Sequence, residues 1–226
     1  MANLNSRNQK VKVKTAKGRK LSSTRWLERQ LNDPFVQQAK IDGYRSRAAY
    51  KLIQINEKFG LLHPGQLVID LGAAPGGWTQ VAAKSLNPSK TPSSHIIGID
   101  LQPMEPMADA TIILGDFNDL EVYEQLIEQM HGRKADVILS DMASPACGNS
   151  QVDHDRIIVL CEMVFDFAYK YLNHGGSVVV KVLRGGTEQE LLTKIKHTFE
   201  IVKHFKPDAS RKDSAEMYLV AQGFRG

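Results

Sequence analysis

The run Gln66-Leu67-Val68-Ile69-Asp70-Leu71-Gly72-Ala73-Ala74-Pro75-Gly76-Gly77-Trp78 constrains this chain more than any other stretch. An apolar segment bounded by Gly65 and Gly72 describes a buried parallel strand. It opens into a turn where Gly72, Gly76 and Gly77 leave room for backbone to lie against a ligand. Residues 79–86 then alternate apolar and polar at helical spacing, so the turn delivers the chain into a helix N-terminus. A strand, a glycine loop and a helix in that order describe an α/β fold with a nucleotide-type site at the carboxyl edge of its sheet.

The loop chemistry narrows the ligand. A dinucleotide fingerprint needs G-x-G-x-x-G, but Ala73 and Ala74 follow Gly72. A phosphate loop of the Walker type needs a lysine after its second glycine, and here Trp78 follows Gly77. Asp70 at the head of the loop sits badly beside a pyrophosphate and suits a cationic or zwitterionic ligand such as S-adenosylmethionine. The next apolar run ends in Asp100, 28 positions after Gly72, where an acid accepts from a ribose. The third run, Ala110-Thr111-Ile112-Ile113-Leu114, leads to Asp116 and Phe117, an acceptor for an adenine amino group beside a packing surface. Three acids at three successive strand ends are hard to read as chance solvated loops.

At 226 residues the chain can bury one full α/β core. It has no apolar stretch near 18 residues and no apolar signal core at its start, so the expectation is an intracellular, cytoplasmic protein without a membrane span. Cys147 and Cys161 are too few for a disulfide framework or a cysteine zinc site, and no metal is expected. Charge is segregated. Residues 1–60 hold 14 Lys and Arg against 4 Asp and Glu, while the remainder holds 15 against 21. A basic arm beside a mildly acidic body is the electrostatic footprint of nucleic-acid binding.

Residues 1–22 read as a disordered basic tail, and residues 23–226 as one α/β domain that includes two N-terminal helices near 24–30 and 46–59. Beyond the glycine loop, strands are expected at 95–100, 110–114, 135–141 and 177–183, and a long amphipathic helix at 153–172. A helix at 188–198 and strands at 201–205 and 217–222 complete a seven-stranded, mostly parallel, doubly wound sheet with helices on both faces.

Two residues in this plan invite chemistry. Asp141 ends the fourth strand, beside the switch point where such sheets bind ligands. Lys181 interrupts the β-branched run Val178-Val179-Val180-Lys181-Val182, and a lysine is expensive to bury there without a partner. Glu216 begins the last strand and Lys51 lies on the second helix, both able to reach the same edge. Two lysines and two carboxylates in one cleft would form an acid–base device, since a neighbouring cation and partial desolvation both loosen an ammonium's proton.

With those residues in hand, the chain resembles the FtsJ/RrmJ family of ribosomal RNA 2′-O-methyltransferases, in its bacterial large-subunit branch. The resemblance rests on Gly43-Tyr44-Arg45-Ser46-Arg47-Ala48-Ala49-Tyr50-Lys51-Leu52, Asp70 to Trp78, Ser140-Asp141-Met142-Ala143, Val180-Lys181 and Ser214-Ala215-Glu216-Met217-Tyr218, spread over residues 22–224. It implies a single Rossmann-like domain and S-adenosylmethionine as methyl donor. It also implies a catalytic tetrad at Lys51, Asp141, Lys181 and Glu216, with Lys181 as general base. The family's cofactor contacts fall on Gly76, Trp78, Asp100, Asp116 and Asp141. The implied acceptor is a uridine ribose of 23S ribosomal RNA on the assembling 50S subunit, methylated by a monomer. The loop Ser144-Pro145-Ala146-Cys147-Gly148-Asn149 departs from the family's usual proline and asparagine after Asp141-Met142-Ala143, a departure that touches acceptor positioning.

Two rivals remain at this level. An RNA cytosine-5 methyltransferase would attack the base with Cys147, but Ala146 separates that cysteine from Pro145, whereas such enzymes set proline directly before the thiol. A ribosome assembly factor with a vestigial pocket would bind RNA without transferring methyl, yet it would have no reason to keep a lysine within an apolar strand.

Overall fold

A computed structural model describes residues 13, 18–145, 147–185 and 189–226. Its chain order is α1 (Leu21–Leu31), α2 (Pro34–Ile41), α3 (Ala49–Phe59), β1 (Leu67–Leu71), α4 (Gly77–Leu86), β2 (His95–Asp100), β3 (Thr111–Leu114), α5 (Leu120–Gln129), β4 (Ala135–Ser140), α6 (Ser150–Tyr171), β5 (Leu172–Leu183), α7 (Gln189–Thr198), β6 (Phe199–Phe205) and β7 (Glu216–Phe224). The seven strands form one sheet in the order β3-β2-β1-β4-β5-β7-β6. The first five are parallel, and β7 runs antiparallel between β5 and β6. The expected fold class is the observed one.

Strand alternation sorts the core onto two faces. Leu67, Ile69, Leu71, Val178, Val180 and Val182 pack with α5, α6 and α7. Val68, Val137, Leu139, Val179, Tyr218 and Val220 pack with α3 and α4. Each fully buried leucine or isoleucine of this kind stabilises the fold by roughly 1.5–3 kcal/mol. Because side chains alternate along a strand, Lys181 shares the face of Val179, and Tyr218 lies directly opposite it in the β5–β7 ladder. The helix above that face is α3, docked through buried Leu52 and Ile55. That docking is what carries Lys51 over the carboxyl edge.

Several boundaries differ from the sequence reading. Most of the expected tail (1–12 and 14–17) lies outside the described residues, but Leu21 and Ser22 already belong to α1. The helix α2 was not anticipated. Its signal is local: Asp33 accepts from the Phe35 N–H at 3.0 Å and Pro34 occupies the first helical position, a good start for a helix too short to show periodicity. The long helix starts at Ser150 because Asn149 caps it, its Oδ1 accepting from Gln151 N at 3.1 Å. The strand β5 begins at Leu172, directly after that helix, so 173–176 form an irregular strand start with a register shift against β4, not a free turn. Residue 188, expected to open the next helix, lies outside the described residues, and α7 is described from Gln189. No helix among the described residues is long and apolar enough to cross a membrane.

Candidate active site

The glycine loop joins β1 to α4 at the carboxyl edge. Gly72 and Ala73 both donate from their backbone N–H groups to Ile99 O, at 2.9 and 3.0 Å, which folds the loop onto the end of β2. Gly72 holds φ +79°, and a Cβ there would lie 2.8 Å from Met142 Cγ and 2.9 Å from Met142 N, so a larger residue would part the loop from the segment after β4. Beside it opens a cavity of about 400 Å³ lined by Gly72, Ala74, Asp100, Asp116, Phe117 and Asp141, with Leu160 and Met163 of α6 closing its far side. That is the size and character of a small-ligand site: apolar walls with a few placed acceptors.

Its acids are held by backbone. Asp100 accepts from Ala74 N at 2.8 Å on one oxygen and from Gln102 N at 2.7 Å on the other. Each oxygen keeps further acceptor capacity for a ligand hydroxyl. Asp116 accepts from Asn118 N at 2.9 Å, and Phe117 is fixed edge-on against Phe167 at 5.4 Å. Asp70 lies elsewhere. It is fully buried, accepts from the Thr79 hydroxyl at 2.7 Å, and braces α4 against β1 instead of lining the cavity. Burial pushes its pKa up to about 7; the Asp141 and Asp100 charges add to the rise and the Thr79 bond opposes it. The expected role of Asp70 as a direct partner for a cationic ligand is therefore not what the fold provides.

Lys51, Lys181 and Glu216 gather around Asp141, which lines this cavity. Lys181 Nζ lies 2.7 Å from Asp141 Oδ1 and donates to the Asp141 backbone oxygen at 2.6 Å. Lys51 Nζ lies 2.7 Å from Glu216 Oε1 and 3.7 Å from Asp141 Oδ2. A fifth group completes the cluster: Tyr218 accepts from Lys51 Nζ at 3.1 Å and donates to Asp141 Oδ1 at 2.7 Å. Burial, then the Asp141 and Glu216 charges, raise the Tyr218 phenol well above its ordinary pKa, so it stays a donor. Burial alone would raise the Asp141 carboxyl, but Lys181, Lys51 and the hydrogen bonds from Lys181 and Tyr218 outweigh it and hold the group below the usual carboxylate range. The result is an ionised aspartate that lines the ligand cavity and is fixed between two lysines, Lys181 at 2.7 Å and Lys51 at 3.7 Å.

A second cleft, of about 450 Å³, opens on the other side of the cluster and is lined by Arg29, Arg47, Lys51, Arg211, Ser214 and Glu216. Asp33 organises its wall, 3.0 Å from Arg47 Nη1 and 3.7 Å from Arg211 Nε. Arg47 also donates to Ala209 O. Burial lowers the Arg47 pKa, with Asp33 opposing. This cleft carries the cations that a polyanion needs, and it shares Lys51 and Glu216 with the cluster.

The sequence-derived site residues divide into groups. Asp100, Asp116 and Asp141 line the first cavity. Lys51 and Glu216 line the second cleft, and Lys181 is held between them through Asp141. Gly76 and Trp78 line neither. Gly76 N donates to Ala73 O at 2.7 Å within the loop, and Trp78 is buried beneath it, donating from Nε1 to Ala48 O at 2.9 Å and tilting against Tyr218. Tyr218, Arg29 and Arg211 escaped notice as functional residues. The pairing of Tyr218 with Lys181 across two strands is the one signal that would have found the first. Cys147 is exposed, contacts Asn149 and Asp153, and lines neither cleft. Cys161 is buried, and burial pushes its thiol up to about 12, as expected for a core residue. Among the described residues no group of three or more His, Cys, Asp or Glu could hold a metal ion.

A doubly wound sheet with an antiparallel last strand, a glycine loop at its carboxyl edge and a lysine–carboxylate cluster beside the loop define a group-transfer enzyme of the methyltransferase class. Residues 44–224 match the FtsJ-like methyltransferase profile, and the chain belongs to that family. It is 53% identical over 224 residues to the ribosomal RNA large subunit methyltransferase E of Roseobacter denitrificans, covering 97% of this chain and 92% of that one. The Rickettsia bellii protein of the same name is 50% identical over 216 residues, with 95% of each chain covered. Among solved structures, a Plasmodium falciparum protein assigned as a ribosomal RNA methyltransferase superposes with a TM-score of 0.72 at 34% identity, over 81% of this chain and all of that one.

Proposed function

We propose that this chain moves a methyl group from S-adenosylmethionine to the 2′-oxygen of a uridine ribose in large-subunit ribosomal RNA, acting as a single chain on the assembling subunit. The observation that supports this reading is the ion pair of Lys181 with Asp141, which lines the first cavity, beside Lys51 and Glu216, which line the basic cleft. The residues of the first cavity suit the donor: Asp100 would hold its ribose hydroxyls, Asp116 its adenine amino group beside Phe117, and Asp141 would supply a negative charge for its sulfonium. Gly76 and Trp78 would contribute by shaping the loop from behind, since neither lines the cavity and the Trp78 side chain is buried.

The donor supplies an electrophilic methyl group. The protein's part is to bring a hydroxyl oxygen to about 3–3.5 Å in line with it and to remove the hydroxyl proton. Lys181 is the group placed to take that proton, with Asp141 at 2.7 Å to meet the ammonium that results. Asp141, held ionised, would stabilise positive charge on a bound donor and on Lys181 alike. Lys51, paired with Glu216, adds a cation on the acceptor side without drawing on Asp141's short bond to Lys181. Arg29 and Arg211 provide sequence-independent attraction for the RNA backbone. The relatives' names support this substrate class, and the basic N-terminal segment is consistent with it.

Mass spectrometry of nucleosides from unmodified large subunits, incubated with the protein and donor, tests the reading. One new 2′-O-methyluridine is expected, absent without donor. A methylated base, or binding with no transfer, would replace it with the cysteine mechanism or the assembly-factor reading.

A further inference from the structure

Arg45 lies in the basic stretch between Gly43 and Lys51, where charge alone would assign it to RNA. Its side chain is committed elsewhere. Nη1 donates to Pro75 O at 3.4 Å, in the glycine loop, and to Glu105 O at 2.5 Å, in the connection between β2 and β3. Nη2 donates to Pro106 O at 2.9 Å in that same connection. The backbone is anchored too: Arg45 N donates to Gln80 Oε1 at 2.7 Å, and Gln80 Nε2 donates to Gly43 O at 3.2 Å, so the segment is strapped over the first turn of α4. At Gly76, where φ is +107°, a Cβ would come within 3.0 Å of Arg45 Cδ and Nη1, so the loop is shaped to admit this guanidinium.

These are the two loops that flank Asp100. From inside the cavity Asp100 ties them by accepting from Ala74 N and Gln102 N. From outside, Arg45 ties them by donating to Pro75, Glu105 and Pro106. We infer that Arg45 is a positioning residue of the donor pocket, clamping its two loops at the separation the donor's ribose requires, and that it is not an RNA contact. The inference rests on the proposed donor reading of this cavity. A planar guanidinium spans three carbonyls on two loops, whereas a lysine ammonium is a single point on a flexible stem and cannot. To grip a phosphate, Arg45 would have to abandon those carbonyls, while Arg29 and Arg211 already face the basic cleft.

The test compares wild type, Arg45→Lys and Arg45→Ala. Calorimetry gives the Kd for S-adenosylhomocysteine, and filter binding across a salt series gives the Kd for a large-subunit RNA fragment. The expected result is a cofactor Kd raised about tenfold or more in both variants, with RNA affinity and its salt slope within twofold of wild type. In turnover, KM for the donor rises while kcat at saturating donor is retained, a split that general loosening of the fold would not produce. If Arg45→Ala fails to fold, Arg45→Lys carries the comparison. An unchanged cofactor Kd in Arg45→Lys overturns the inference, as does a salt slope that falls by about one in Arg45→Ala and is restored by lysine. Wild-type protein that binds no S-adenosylhomocysteine overturns the donor reading itself, and this inference with it.

Discussion

The cavity beside Asp100 and the cleft beside Arg211 open on opposite sides of one salt-bridged cluster, and they are walled by different chemistry. The first is built from strand ends and backbone: Asp116 is held by an amide of its own loop, Asp100 by amides of its own loop and of the glycine loop, and the walls are apolar. The second is built from long cations on α1, on α3 and its approach, and on the connection between β6 and β7, set by ion pairs to Asp33. A small ligand with one fixed shape suits rigid strand ends. A long polyanion suits side chains that can adjust and whose attraction does not depend on sequence. Donor affinity should therefore depend on geometry, and acceptor affinity on charge and salt.

The strongest way to break this division is to cut its shared centre. Lys181→Ala should abolish transfer, a loss of about a thousandfold or more in kcat, while both ligands still bind, measured by single-turnover methylation alongside calorimetry. Wild-type turnover in that variant would remove Lys181 from the mechanism. Next in size, the two clefts should separate. Asp100→Ala should weaken donor binding by roughly ten- to a hundredfold, on the scale of a lost hydrogen bond to a charged group, and leave RNA binding alone. Arg211→Ala should do the reverse, with ~5–10-fold weaker RNA binding and a salt slope lower by about one. Effects of each variant on both ligands would show the clefts to be one site. Tyr218→Phe removes the hydroxyl that joins Lys51 to Asp141 and should lower kcat by roughly tenfold, on the low side for two charge-assisted bonds because the ion pairs around them remain, with both KM values retained.

The smallest effect is on stability and sharpens the reading of the donor side. The folded-state pKa of Asp70, about 7, lies above the ordinary carboxylate value, so the folded protein binds a proton more tightly than the unfolded chain. Its burden on the fold is therefore absent in acid, grows as pH rises from about 4 to 7, and levels off above that. Asp70→Asn should stabilise the protein by about 1–2 kcal/mol at pH 8, with the advantage shrinking toward pH 5 in urea melts. A pH-independent difference would mean that Asp70 is not protonated in the fold.

Much of this was legible before any coordinates. The strand-loop-helix at 66–86, the acids at 100, 116 and 141, and the lysine in a valine run are local patterns, and the fold keeps all of them. Less legible were contacts across long separations. Tyr218 meets Lys51 only because β7 inserts antiparallel beside β5, and nothing in its neighbourhood announces that pairing. Asp70 and Trp78 looked like ligand contacts from their motif, yet Thr79 of α4 claims the first, and the second, itself on α4, is buried against Ala48 and Tyr218, which turns both into supports. The donors of Arg45 go to the carbonyls of 75, 105 and 106, a set of partners no local pattern around residue 45 announces.

The sequence by itself determined which elements form and which chemical groups stand at the sheet's carboxyl edge, because alternation, glycine placement and strand-end acids are properties of neighbours along the chain. Only the tertiary structure decided which of those groups face a ligand and which face each other. That choice is made when α3 and α4 dock on one face of the sheet: the same burial that hides Asp70 and Trp78 delivers Lys51 to Asp141, and no local pattern encodes a distance between residues 51, 141, 181 and 216.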